Sequence, residues 1–177
     1  MTRQCEGIRD LIFQNSFADL ETILPIIDDC GTKPELECYD VGHLYNVKHM
    51  LDRGYIEPPV HLQFVLGING GIGADGENLI HMRTIAEKLF GDDYSFSVIG
   101  AGRNEFTRAV QSIDMGGHAR VGLEDNLYLG PGELAESNAD LVRKLVDLTR
   151  ELTDRGIATP AETREFLGLK RKQHTAF

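Results

Sequence analysis

The sequence predicts an α/β fold with a parallel sheet, and two observations carry that prediction. Four short runs rich in β-formers alternate with segments of helical period, the pattern of successive βαβ units with right-handed crossovers. Within each run alternate residues also differ in character, so one face of the sheet is apolar and the other polar.

The elements follow in chain order. Leu20, Ile23, Leu24 and Ile27 obey the i, i+3, i+4, i+7 rule, with Ser16 as cap and Gly31 as stop, and Pro25 is expected to kink this first helix. The strand ELECYD at 35–40 comes next, then an amphipathic helix over 43–53 that ends at Gly54. VHLQFVL at 60–66 is the second strand, and the glycine-rich GINGGIGADG at 67–76 leads from it into a helix preceded by Asp75. That helix carries one apolar stripe of Leu79, Met82, Ile85, Ala86 and Leu89. SFSVIG at 95–100 is the third strand, followed by a helix over 104–115 closed by Gly116 and Gly117. HARVGLE at 118–124 is the fourth strand. Ser137 then caps a long helix in which Leu141, Leu145, Leu148 and Leu152 recur at helical spacing. TPAETREFLG closes the chain as a short helix, with Thr159 at the N-cap, Pro160 at the first helical position, Glu162 completing a capping box and Gly168 as stop.

The strand faces narrow the fold further. Leu36 and Cys38, then Leu62, Phe64 and Leu66, then Phe96 and Val98, then Ala119, Val121 and Leu123 form the apolar side. Opposite them stand Glu35, Glu37 and Tyr39, then His61, Gln63 and Val65, then Ser95, Ser97 and Ile99, then His118, Arg120, Gly122 and Glu124. An open doubly wound sheet is covered by helices on both faces and needs both to be apolar. A polar interior inside an apolar outer face suits a (β/α)8 TIM barrel with a working interior, because so much buried polarity must face a ligand, a metal or water.

Composition sets the outer bounds. The chain has 177 residues, 41% hydrophobic and 26% charged, and its 28 acidic against 18 basic side chains give a formal charge of −10. Disorder and low-complexity architectures are excluded, and no linker divides the chain, so a single domain over 1–177 is expected. Nucleic acid is not an expected partner, because the one cationic cluster is Lys170, Arg171 and Lys172 near the end. The opening residues lack the pattern of a secretory leader and no segment has ~20 consecutive apolar residues, so no membrane association and a cytoplasmic location are expected. Cys5, Cys30 and Cys38 show no CxxC spacing and are expected as reduced thiols.

The last strand holds the residues best placed for chemistry. Arg120, Gly122 and Glu124 share the inward face, and Glu124 with Asp125 sit where the strand gives way to its loop, the end at which barrel active sites are built. The cation favours ionised carboxylates, and Gly122 leaves room above it for a ligand; an internal ion pair plus a loop acid is the alternative. Glu37 is the second acid of interest, set against a structural glutamate. The 67–76 loop is either a phosphate cradle or a plain strand-to-helix connection, since it matches neither common phosphate-binding pattern. His61 reads as a satisfied interior histidine, because no second ligand stands at metal-binding spacing.

These residues lead to a resemblance. KPELECYDVGHLYN (33–46), PPVHLQFVLGINGGIGADGENL (58–79), FSVIGAGRNEF (96–106) and GGHARVGLEDNLYLGPGELAESNADLV (116–142) resemble the β-keto acid cleavage enzymes, from about residue 8 to residue 169, with RVGLEDN the most characteristic string. The resemblance implies a zinc-dependent (β/α)8 barrel that takes a β-keto acid and an acyl-CoA, usually acetyl-CoA, and releases acetoacetate with a new acyl-CoA. It implies that Glu124 is the carboxylate ligand of Zn2+, Asp125 the general base, Arg120 the cation that tunes it, and Glu37 a substrate-pocket acid suited to an ammonium group.

The sequence also departs from that family. The His-x-His pair that supplies the other two zinc ligands, in a V-H-x-H context, is absent from these 177 residues, as are the early strands with their serine and threonine contacts. A barrel of this kind needs about 250 residues. The expected structure is therefore a partial barrel, roughly the second half: the helix before the fifth strand, then strands five to eight. Such a chain is truncated or split and works only with a complementary N-terminal half. The rival expectations are an inactive fragment or homo-oligomerising remnant whose half barrels pair through their open edges, and a different metal-dependent barrel lyase.

Overall fold

The structure, a computed structural model, describes residues 14–170; Cys5, Arg171, Lys172 and His174 lie outside them. Strands β1 (Glu35–Cys38), β2 (Val60–Leu66), β3 (Tyr94–Gly100) and β4 (His118–Ala119) form one parallel sheet in the order β1-β2-β3-β4. Helix α1 (Phe17–Asp29) precedes it, and α2 (Val41–Asp52), α3 (Gly76–Phe90) and α4 (Glu105–Asp114) each join one strand to the next. A hairpin of β5 (Tyr128–Gly130) and β6 (Glu133–Leu134) follows, then α5 (Asn138–Leu152) and α6 (Pro160–Phe166). The expected α/β fold with a parallel sheet is therefore present. Among the described residues no helix is long and apolar enough to cross a membrane.

Local chemistry places most boundaries. Ser16 and Asp19 form a reciprocal capping box at the start of α1, and Thr159 with Glu162 form another at α6, behind which Pro160 occupies the first turn. Asp40 accepts the Gly42 N–H at 3.0 Å and starts α2. Helix α1 runs through Pro25 to Asp29.

Two expected strands are cut short, β1 ending at Cys38 rather than at Asp40. β4 ends at Ala119 rather than at Glu124; the Arg120 N–H still donates to the Val98 carbonyl at 3.0 Å, and the chain then turns, with Asp125 and Asn126 N–H both donating to the Gly122 carbonyl. The alternation in HARVGLE continues past the last residue that the sheet pairs, so a period-2 reading overshoots. The β5–β6 hairpin lies outside every expected element, because strands of three and two residues are too short for alternation to register.

The apolar face behaves as expected. Cys38, Leu62, Phe64, Leu66, Phe96 and Val98 pack against Leu44, Met50, Leu79, Met82, Ala86 and Phe90 from the covering helices. Phe64 stacks on Phe96 at 5.3 Å between ring centroids, and Phe96 on Tyr94 at 6.1 Å. Gly117 closes this stack: a Cβ there would stand 2.4 Å from Phe96 Cε2 and 2.7 Å from Ser112 Oγ. Because its neighbours pin the Phe96 ring, Gly117→Ala should cost about 1–3 kcal/mol, read as a lower midpoint in urea; an unchanged midpoint would mean the ring can yield.

Candidate functional site

Register brings the polar residues of the opposite face into rows. Glu35, His61 and Ser95 are mutual neighbours across β1, β2 and β3, and Glu37, Gln63, Ser97 and His118 make the next row. Side chains bond along this face: Ser95 Oγ lies 2.8 Å from His61 Nδ1, Ser97 Oγ 3.3 Å from His61 Nε2, and the Gln63 amide 2.7 Å from Ser97 Oγ. His61 is thus a satisfied interior histidine. Burial, helped by nearby His118 and Lys33, pushes its pKa down to about 4 from the ordinary 6.5. The unfolded chain gains a proton near pH 6.5 that the folded chain refuses until about pH 4, so folding stability should fall as pH drops through that window. Urea melts at a series of pH values should show a smaller acid loss for His61→Gln than for the wild type, and equal losses would remove His61 as the cause.

From the second row toward the C-terminal ends of the strands, four charged side chains converge. Arg120 Nη1 lies 3.2 Å from Glu37 Oε1, and Nη2 lies 2.8 Å from Glu124 Oε2 and 3.3 Å from Asp125 Oδ2. A planar guanidinium can serve several carboxylates at once, whereas an ammonium is a single point charge. The sequence singled out these same four residues, although they come from β1, from the residue just after β4 and from the turn that follows. Tyr39, noted in the sequence only as a member of the polar face, belongs with them: its hydroxyl donates to Glu37 Oε2 at 2.9 Å, and burial, with Glu37 beside it, pushes its pKa up to about 12.

The two adjacent acids differ sharply. The Glu124 side chain is 82% exposed and that of Asp125 only 9%. Burial raises the Asp125 pKa, and this outweighs the lowering by Arg120; Glu124 and Glu37 push it up further. At Asp125, then, desolvation outweighs the pull of the cation. Asp125 Oδ2 pairs with Arg120 and, among the described residues, has no other polar partner.

Gly122 lies in the turn that carries these acids. A Cβ there would stand 3.3 Å from Asn138 Oδ1, and its N–H donates to Glu105 Oε1 at 2.9 Å. The 67–76 loop is a connection that braces the site: Ile72 N–H donates to the Tyr39 carbonyl at 2.7 Å, while Gly67 and Gly71 N–H groups bond to Ile72 and Ile68 carbonyls. Among the described residues no three His, Cys, Asp or Glu side chains are grouped to hold a metal ion.

Comparison with known proteins bears on this geometry. The family model described as beta-keto acid cleavage enzyme matches residues 2–169. A 3,5-dioxohexanoate:acetyl-CoA acetone transferase of Paraburkholderia graminis is 50% identical over 99% of the chain and 56% of its own length. Two 3-keto-5-aminohexanoate cleavage enzymes are also similar: that of Fusobacterium nucleatum is 38% identical over 94% of the chain and 59% of its own length, and that of Acetoanaerobium sticklandii 40% identical over 80% and 50%. The chain thus spans between about half and three-fifths of the relatives it matches.

Proposed function

Because the chain belongs to the beta-keto acid cleavage enzyme family, we propose that it carries the acid–base part of a site exchanging a β-keto acid and acetyl-CoA for acetoacetate and a new acyl-CoA. The observation that carries this reading is Asp125: a buried carboxylate with a raised pKa, held by a cation on one side, is a better base than an exposed one. In the proposed reaction Asp125 removes a proton from the carbon between the keto group and the carboxylate. The carbanion attacks the thioester carbon and CoA leaves as a thiolate. That thiolate adds to the original keto carbon, the bond to the α-carbon breaks, and the leaving acetoacetate carbanion recovers the proton from Asp125. Arg120 holds Asp125 through its charge, and Glu37, half-exposed and restrained by Tyr39, faces the substrate.

The family implies zinc. A catalytic zinc takes three protein ligands with one position open, whereas Glu124 is a single exposed carboxylate already paired with Arg120. The described residues therefore do not make a zinc site by themselves, and no step above runs through one. We place the remaining ligands on a His-x-His strand outside these 177 residues and read the sheet as strands five to eight of a barrel. In the described structure β1 and β4 each have one hydrogen-bonded neighbour, and such open edges favour pairing with the rest of a barrel.

The test is to supply acetyl-CoA, zinc and either 3,5-dioxohexanoate or 3-keto-5-aminohexanoate to the chain. One mixture holds the chain alone, and the other adds the portion of the P. graminis relative that the chain does not cover. Mass spectrometry should find acetoacetate and the new acyl-CoA in equal amounts in the complemented mixture only. Turnover by the chain alone would overturn the dependence on a second half, and a stable complex without product would overturn the reaction.

A further inference from the structure

Glu105, at the start of α4, is fully buried, and no feature of the proposed reaction uses it. Both of its oxygens face the turn that carries Glu124 and Asp125. Oε1 accepts the Gly122 N–H and Oε2 accepts from Asn126 Nδ2, each at 2.9 Å. Asn126, itself buried, passes the restraint on: its Nδ2 donates to the Tyr128 carbonyl at 2.6 Å and its Oδ1 accepts the Tyr128 N–H at 3.1 Å. Inside this bracket the Asp125 carbonyl accepts the Gly102 N–H at 2.8 Å, and Leu123 N–H donates to Asn138 Oδ1 at 2.8 Å. A carboxylate is an expensive way to fill space at the base of a helix, since desolvation opposes its charge. It is also the one side chain of that length that accepts at both ends, and both groups facing it are donors; Gln would offer an acceptor to one and an amino group to the other.

We propose that Glu105 is a positioning residue, whose carboxylate clamps the 122–126 turn through Gly122 and Asn126 and so fixes where Asp125 stands. Its catalytic meaning rests on the reading of Asp125 as the base, while the clamp itself is testable without turnover.

The experiment uses NMR on the 177-residue chain. In the wild type the Gly122 amide should exchange at least about a hundredfold more slowly than an open amide. Glu105→Gln should lower protection at Gly122 and Asp125 by about tenfold or more while α5 amides keep theirs. The double variant Glu105→Gln/Asn126→Asp exchanges the acid and the amide, restores a donor–acceptor pair between positions 105 and 126 while leaving the Tyr128 carbonyl without its donor, and should recover the Gly122 protection in part. An unprotected Gly122 amide in the wild type overturns the clamp even if no variant folds. So does a folded Glu105→Gln whose turn protection matches the wild type. In the complemented assay Glu105→Gln should lower kcat by about tenfold or more with KM nearly unchanged. A wild type without turnover there defeats the role of Asp125 and leaves the NMR result on the clamp standing.

Discussion

Replacing Asp125 by Asn should lower turnover by about 10²–10⁴-fold, the range that a positioned general base supplies, with little change in the binding of either substrate. The amide has nearly the same shape and fits the same space, but it has no basic lone pair with which to take a proton from carbon. Stability should not suffer. The raised pKa of Asp125 means that the folded state holds its proton more tightly than the unfolded chain does, so its ionised form at neutral pH opposes folding, and a neutral side chain removes that opposition. The same direction puts the acid limb of the wild-type rate profile above the ordinary aspartate value of 3.8. Rates and melting curves for the two proteins in the complemented mixture check both points. Full activity in Asp125→Asn would remove Asp125 from the role of base, and a large fall in melting temperature would mean that its charge is structural.

Phe64→Ala should be the most damaging single truncation of the core, costing about 3–5 kcal/mol. The ring is fully buried at the middle of β2, between neighbours on β1 and β3, and stacks on Phe96. Sheet backbones on both sides and helices above leave little freedom to collapse into the space. Urea denaturation should show the shift in midpoint with no change in slope, and a loss below about 1 kcal/mol would mean that the helices close over the gap.

Much of the fold was legible because its signals are local. The capping boxes at Ser16 and Thr159 are written in four consecutive residues each, and the stripe on α3 repeats at helical period, so both were readable without knowing what they pack against. Alternation on β2 and β3 separated the apolar from the polar face correctly, because both strands are seven residues long and flanked by partners. Beyond β4 the same rule failed: alternation in HARVGLE records side-chain character, while strand length depends on a partner to pair with.

The candidate site divides along the same line. Arg120, Glu124 and Glu37 stood out by charge on a face that should be buried, with Asp125 at the start of the loop, and the four do lie together. Their unlike environments were not legible, since Glu124 and Asp125 are adjacent in sequence and only the turn exposes one and buries the other. Glu105 carried no signal, because an acid in a first helical turn is ordinary until the donors that face it are known. By itself, then, the sequence determined the alternation of strands and helices, the apolar and polar faces, the family and the acids of the site, all properties of residue type and spacing. Only the tertiary structure decided where β4 ends, which acid loses its water and what holds the turn, because burial and hydrogen-bond partners are set by residues distant along the chain.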